Sequence, residues 1–461
     1  MLQYVSAPEA TGVSSLAVMR LLDEISAHKI DVHSIMIARH GKIAARLEWA
    51  PYDACTASTL FSLSKSFTSC ATGFAAAEGL LSFDDKICEL LPDKVPADAS
   101  NALRKITIGD LLCMGSGMSE ESDVIPADCI DWEKYFLSCP VKYPPRTHFH
   151  YNTISTYVIA CALQRVTGMT VRDYLQPRLF DKLGIQTPQW DCSPTGVNCA
   201  GFGLHLSCED ILKFGQLLLD HGMWNGERVL PKGWVELASR KHMDNGTDPN
   251  NDWNQGYGYL FWRTRGGRYR GDGAYGQICM VDEANDTVVA AIAGVDNMGD
   301  ELDAVNTFFK SLSLPMGDTA AQKQLAARTA SLHYDFPRDD GSGFSINASY
   351  IGTEGRFLRI ENNPDGSICL HRHVPGSYPA FPMLFGLRKP IVGEFISFVP
   401  GEQPQKALCA YGWQKGSLHF VMRTPAAPYM LDACLTFSGK CLTVEMTGTV
   451  TDCGIQKYTR I

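Results

Sequence analysis

The chain lacks several signatures that would place it quickly. Among its 461 residues there is no run of about 18 apolar residues, so nothing is expected to span a bilayer. No Lys/Arg block stands out and the formal net charge is −9, which argues against a nucleic-acid partner. The opening MLQYVSAPEATGVSS has neither a basic start nor an apolar stretch, so no leader peptide is expected. There is no G-x-S-x-G elbow, no H-E-x-x-H and no P-loop. The 16 cysteines fall singly from Cys55 to Cys453, with no C-x-x-C among them. That spacing suits neither a disulfide scaffold nor a zinc knuckle. It suits reduced thiols used as small buried hydrophobes in a reducing cytoplasm.

What is present is an ordinary globular composition, 45% hydrophobic, on a chain long enough for two domains. SSLAVMRLLDEISAHK carries helical apolar spacing, and HSIMIARHGKIAARLEW reads as a hairpin turning at His40-Gly41. LFSLSKSFTSCATGFAAAEGLL predicts a buried helix from about Ser62 to Gly79. TIGDLLCM begins another helix, with Thr107 and Asp110 as an acidic capping box. TYVIACALQRVTG and CEDILKFGQLLLDHG predict helices stopping at Gly168 and Gly222. GYGYLFWRT and QICMVDEANDTVVAAIAG predict strands, the second pair turning at Asn-Asp. The expected organisation is a first domain over 1–314, a polar connector with some helical character over 315–332, and a tail over 333–461. In the tail, short strands with turns at Asp365-Gly366, Lys415-Gly416 and Gly439-Lys440 predict an antiparallel sheet or small barrel.

One stretch carries chemistry. If a helix opens at Ser62, Lys65 lies one turn on along the same face. A serine hydroxyl needs a neighbour to take its proton, and a lysine in a dry pocket has a lowered pKa and can do so. A helix start also offers backbone N–H groups to a developing oxyanion. S-x-x-K alone is weak, with roughly two chance matches expected at this length. SAHK, Ser26 to Lys29, is such a match at a solvated helix end. The Ser62 copy instead opens an apolar helix, where an exposed lysine is out of place. Two further segments stand beside it. Tyr151-Asn152-Thr153 precedes an apolar helix, where the bland reading is a Thr153 N-cap with a packed tyrosine. YRGDGAYGQICMV is glycine-dense just before a strand, where the bland reading is a hairpin turn.

In this order these segments resemble the serine β-lactamase and penicillin-binding-protein superfamily, most closely its class C β-lactamase/esterase branch. Five co-linear blocks between about Ser34 and Gly294 carry the resemblance: LFSLSKSFTSCATGFAAAEGLLSFDDKICELLP, ITIGDLLCMGSGM, FHYNTISTYVIACALQRVTGMTVRDYLQPRLFDKLGI, GFGLHLSCEDILKFGQLLLDHGMWNGERVLP and GYGYLFWR…GDGAYGQ. The resemblance implies an α+β fold, an antiparallel sheet flanked by helices with a helical subdomain. It also implies an appended β domain like those of related enzymes, some of which are lipocalin-like. By the same resemblance Ser62 is the acylated nucleophile, Lys65 its activator and Tyr151 the proton-relaying tyrosine of Y-x-N. Thr153 stands where that motif has Asn. Gly271, Asp272 and Gly273 match the third motif, K-T-G or H-x-G. The N–H groups of Ser62 and Ala274 form the oxyanion hole. Two positions depart from the pattern. Thr153 offers a hydroxyl in place of an amide, and Gly271 offers no cation for a substrate carboxylate.

The expected protein is therefore a serine hydrolase of small-molecule esters or non-standard amides, needing no metal or other cofactor and having no nucleic-acid or membrane partner. A D-amino-acid peptidase or β-lactamase, an acyltransferase and a non-catalytic binding relative remain open alternatives. The sequence sets no oligomeric state. His148/His150 and His371/His373 have the i,i+2 spacing of metal pairs on a strand but read as surface or satisfied histidines. Tyr257, Tyr259, Phe261 and Trp262 read as core strand residues, and Glu120, Glu121 and Asp123 as a solvated turn near the cleft.

Overall fold

The computed structural model describes residues 2–375, 382–395, 404–449 and 454–461. The chain divides into two compact units. The first comprises Met1–Glu48, Ala54–Ala293 and Asn297–Leu332, and the second Trp49–Asp53, Gly294–Asp296 and His333–Ile461.

The first unit is built on a seven-stranded sheet. Its strands are β1 (Gln3–Tyr4), β2 (Val32–Arg39), β3 (Lys42–Glu48), β4 (Trp262–Arg263), β5 (Tyr269–Gly273), β6 (Gln277–Asp282) and β7 (Thr287–Ala293), in the order β1-β3-β2-β7-β6-β5-β4. The β2–β3 turn falls at His40 and Gly41, both at positive φ (53° and 69°), which matches the right-handed strand twist. Strands β6 and β7 are buried along their whole length, because helices cover the sheet on both faces. The helices that matter here are α1 (Ser15–Ala27), α2 (Ser64–Ala77), α3 (Ile108–Leu112), α4 (Thr153–Thr167), α5 (Cys208–Leu219), α6 (Met298–Ser311) and α7 (Thr319–Ala330). Helix α5 packs on β2, β6 and β7, while α1 packs against α6 and α7. Residues expected to be connector are thus largely helical, and Arg328 of α7 pairs with Asp23 of α1. The capping box at Thr107/Asp110 is present, α4 stops at Gly168 in the left-handed conformation, and α5 ends at Leu219, just short of Gly222. GYGYLFWRT is strand only at Trp262–Arg263, because Leu260, at φ 63°, turns the chain within it.

The second unit is a barrel. Its strands are β8 (Ala348–Gly352), β9 (Phe357–Asn362), β10 (Ile368–His373), β11 (Met383–Leu387), β12 (Ile391–Phe395), β13 (Gln405–Gln414), β14 (Ser417–Arg423), β15 (Met430–Ser438), β16 (Cys441–Gly448) and β17 (Gly454–Arg460). Antiparallel pairing runs β11-β10-β9-β8-β17-β16-β15-β14-β13, and a parallel contact between β11 and β13 closes a ring of nine strands. Strand β12 is an extra arm on β13. Leu358, Ile360, Ile368, Phe385, Leu418, Phe420 and Leu435 alternate along the strands to fill the core.

Among the described residues, no helix is long and apolar enough to cross a membrane. Every described cysteine is a free thiol, and most are buried. Cys453 lies outside the described residues.

Candidate active site

Ser62 sits in a 3-10 turn, Phe61–Leu63, that runs straight into α2. Phe61 is held at φ 44°, a costly conformation for an aromatic residue. Helix α2 is buried from Ser64 to Ala75, so its many hydroxyls must find partners. They find backbone of distant loops. Ser64 Oγ accepts from Leu204 N at 3.1 Å, Thr68 donates to Ala200 O at 3.1 Å, Ser66 to Leu260 O at 3.1 Å and Ser69 to Tyr259 O at 2.6 Å. The helix that carries the nucleophile therefore also fixes the two loops that wall the site.

Lys65 is 1% exposed. Its Nζ lies 2.9 Å from Ser62 Oγ, 3.1 Å from Thr153 Oγ1 and 2.8 Å from the Gly201 carbonyl oxygen. Burial pushes the amine down to about 7, partly opposed by the nearby charge of Asp272. A neutral amine has two N–H bonds and one lone pair. With Thr153 and Gly201 accepting the two N–H bonds, the lone pair is left for Ser62. Gly201 is required at its position. A Cβ there would lie 2.7 Å from both Thr153 Cγ2 and Thr153 O.

Tyr151 reaches the same point. Its ring centroid is 4.9 Å from Lys65 Nζ, and the neighbouring Ser62 hydroxyl eases ionisation of the phenol. Burial, with the charge of Asp272, holds the phenol well above its usual range and therefore protonated. The ring stacks on Trp262 at 5.1 Å and meets Tyr257 edge-on at 6.0 Å. Tyr257 and Trp262 are thus supports of the site as well as core residues. The N-cap of α4 is Asn152, not Thr153. Asn152 Oδ1 accepts from Ser155 N, while its Nδ2 donates to Ser122 Oγ and Asp123 Oδ1, both at 2.6 Å. Thr153 is thereby free to face Lys65. Asp123 also binds His150 Nε2 at 2.7 Å, so the acidic turn anchors the Tyr151 segment, and Glu120 pairs with Lys142. His148 stacks on Tyr143 at 4.2 Å.

The glycine-rich segment is the end of β5. A Cβ on Gly273 would lie 2.1 Å from Leu60 O and 3.1 Å from Leu63 N, so the strand presses backbone to backbone on the nucleophile turn. One residue further on, the rings of Phe61 and Tyr275 meet at 5.2 Å. A Cβ on Gly271 would lie 2.4 Å from Ser66 Oγ and 2.5 Å from Leu63 Cδ1. A lysine or histidine there would have to displace the Ser66 or Leu63 side chain. Asp272 points to the other face, where Arg270 Nε binds its Oδ2 at 2.9 Å. Arg270 is fully buried, donates to Asp252 O at 3.1 Å and lies 5.2 Å from the Trp253 ring centroid. Gln277 Nε2 ties Ala274 O (3.2 Å) to Ala293 O (2.9 Å) on β7.

The structure brings Ser62, Lys65 and Thr153 together with the Tyr151 ring beside them, and lays Gly271 and Gly273 against the 60–66 turn that carries the nucleophile. It ties Asp272 to Arg270. Sequence reasoning missed the Gly201 carbonyl, the Asn152 cap, Arg270 and Gln277. For Arg270 a signal existed, since i,i+2 residues on a strand share a face. For a backbone carbonyl there was none.

A serine hydroxyl beside a buried amine, with a half-buried phenol close by, is equipment for passing an acyl group through a serine ester. A family model described as Beta-lactamase matches residues 18–307, and the chain belongs to that family. It is 28% identical over 152 residues to the 6-aminohexanoate-dimer hydrolase of Paenarthrobacter ureafaciens, across 32% of this chain and 39% of that protein. It is 25% identical over 253 residues to penicillin-binding protein 4 of Amycolatopsis lactamdurans, across 47% of this chain and 65% of that one. Both matches thus span less than two thirds of the curated relatives. Among solved structures, SurE superposes with a TM-score of 0.53 at 17% identity, covering 91% of this chain and 98% of its own, a likeness of fold.

Proposed function

We propose that the protein hydrolyses esters or non-standard amides of small molecules through an acyl-enzyme on Ser62. The observation that carries this reading is the 2.9 Å contact between Ser62 Oγ and an amine that burial holds near neutrality at about 7. Neutral Lys65 takes the Ser62 proton and the oxygen attacks the substrate carbonyl. The oxyanion rests on the N–H groups of Ser62 and Ala274, an interaction of roughly 3–4 kcal/mol per donor. The bond to the leaving group breaks, and that group leaves with the proton, passed from Lys65 through the Tyr151 hydroxyl. Water then attacks the ester and gives its proton back along the same path, and Ser62 is regenerated.

The preference for esters and unusual amides rests on position 271. Substrates with a free carboxylate, such as β-lactams and D-Ala peptides, gain from a cation on this strand. Gly271 supplies none, and a side chain there would have to displace Ser66 or Leu63. Thr153 spends its oxygen on Lys65 and retains one O–H to donate.

The test is intact-mass spectrometry after exposure to a fluorophosphonate probe, followed by a panel of aryl esters, D-amino-acid amides and a cephalosporin. One label on Ser62, absent in Ser62→Ala, with turnover highest on esters, is the expected result. An unlabelled wild type, or labelling that survives Ser62→Ala, overturns the reading.

A further inference from the structure

Away from the cleft, three side chains of different donor chemistry meet on one face of the barrel. In the β9–β10 ladder Glu361 lies opposite Cys369, and Arg359 opposite His371. Alternation places all four on the same side, since residues two apart on a strand share a face. Leu358, Ile360, Ile368 and Leu370 point the other way and are buried. On the shared face, His371 Nε2 lies 3.0 Å from Glu361 Oε2 and 3.3 Å from Cys369 Sγ. The carboxylate, imidazole and thiol ligand atoms all lie within 4.8 Å of one another, and among the described residues this is the one group of three that does so.

A tetrahedral zinc ion with bonds of about 2.0–2.3 Å sets its ligand atoms roughly 3.3–3.7 Å apart. Two of the three spacings are already near that range, and closing the third needs a small side-chain adjustment. Arg359 binds Glu361 Oε1 and leaves Oε2 turned to His371. That is the outer support a carboxylate ligand uses to hold its orientation. An Arg–Glu–His ion ladder would explain three of these residues but not the sulfur. Burial pushes the Cys369 thiol up, so the sulfur is protonated until a cation displaces the proton.

We propose that Glu361, Cys369 and His371 form a site for one borderline-soft divalent cation, zinc by ligand type, with a fourth position open to water. Binding releases the Cys369 proton and forms one bond each from sulfur, nitrogen and oxygen to the metal. The ion would brace β9 against β10, independently of the chemistry at Ser62.

The experiment uses the full chain without a histidine tag, stripped with a chelator and titrated with Zn²⁺, then with Co²⁺ as a spectroscopic probe. One equivalent of Zn²⁺ and a thiolate-to-cobalt charge-transfer band in the near ultraviolet are expected. Cys369→Ser should abolish the band and weaken Zn²⁺ binding at least tenfold. His371→Ala should weaken binding similarly, and stands in if the serine variant does not fold. A second Cys–His contact, Cys434 Sγ to His419 Nε2 at 3.7 Å, is the internal control, and Cys434→Ser should bind as wild type does. Absence of binding, wild-type binding in Cys369→Ser and His371→Ala, or loss in Cys434→Ser each overturns the proposal.

Discussion

At the scale of single residues, Lys65 decides the behaviour of the site. Its unfolded-state value is near the ordinary 10.5, and burial takes it to about 7 in the fold. Below about 7 the amine keeps its proton and has no lone pair for Ser62; above it, the lone pair is available. We therefore expect kcat/KM to rise with pH through about 7 and then level. Tyr151 adds no falling limb within its ordinary range, because its phenol is held above that range. Lys65→Arg, charged throughout, should lose the rising limb and about 10²–10⁴ in rate, the span of general-base catalysis. A flat wild-type profile between pH 5 and 9 would remove Lys65 from the role. The polar residues of the site were legible in the sequence because they lie in short motifs. Their partners were not, since Gly201 O, Leu260 O and Ala200 O are backbone atoms more than 130 positions away, reached only by folding.

At the scale of elements, the apposition of α2 and β5 is set by the absence of side chains. Gly271 and Gly273 let the strand lie on Leu60, Leu63 and Ser66. Gly271→Ala should force the strand or the helix to move, with an overpacking cost of roughly 1–3 kcal/mol. Thermal unfolding and esterase activity should both fall. Gly271→Lys should fall further and gain no β-lactam turnover, and an active, carboxylate-selective Gly271→Lys variant would refute the steric argument. Long periodic helices were readable from residue order, as α1, α4 and the buried character of α2 demonstrate. GYGYLFWRT misled because alternating aromatics imitate a strand, whereas here Leu260 turns the chain and directs Tyr257 and Trp262 to Tyr151. Pattern reports which residues leave water, not which neighbour they meet.

At the scale of the whole molecule, the chain joins an α+β unit to a closed β unit. The tail's strands and turns were legible, because short alternating segments with Asp-Gly and Lys-Gly corners leave few other options. A small barrel was one of the two expected forms, but which strands close it was not legible, since an odd ring needs one same-direction pair, and only the fold reveals which strands supply it. Strand β17 joins the two ends of the circuit, pairing with β8 on one side and β16 on the other, and Ile461 N donates to Ser349 O at 3.0 Å. Removing residues 454–461 would therefore pull out a stave and leave two raw margins of unmet amides and carbonyls. Such margins recruit strands from other molecules. Light scattering on that truncated chain should reveal clumping at concentrations where the intact chain stays dispersed, and a clear solution would mean that the remaining staves close ranks without it.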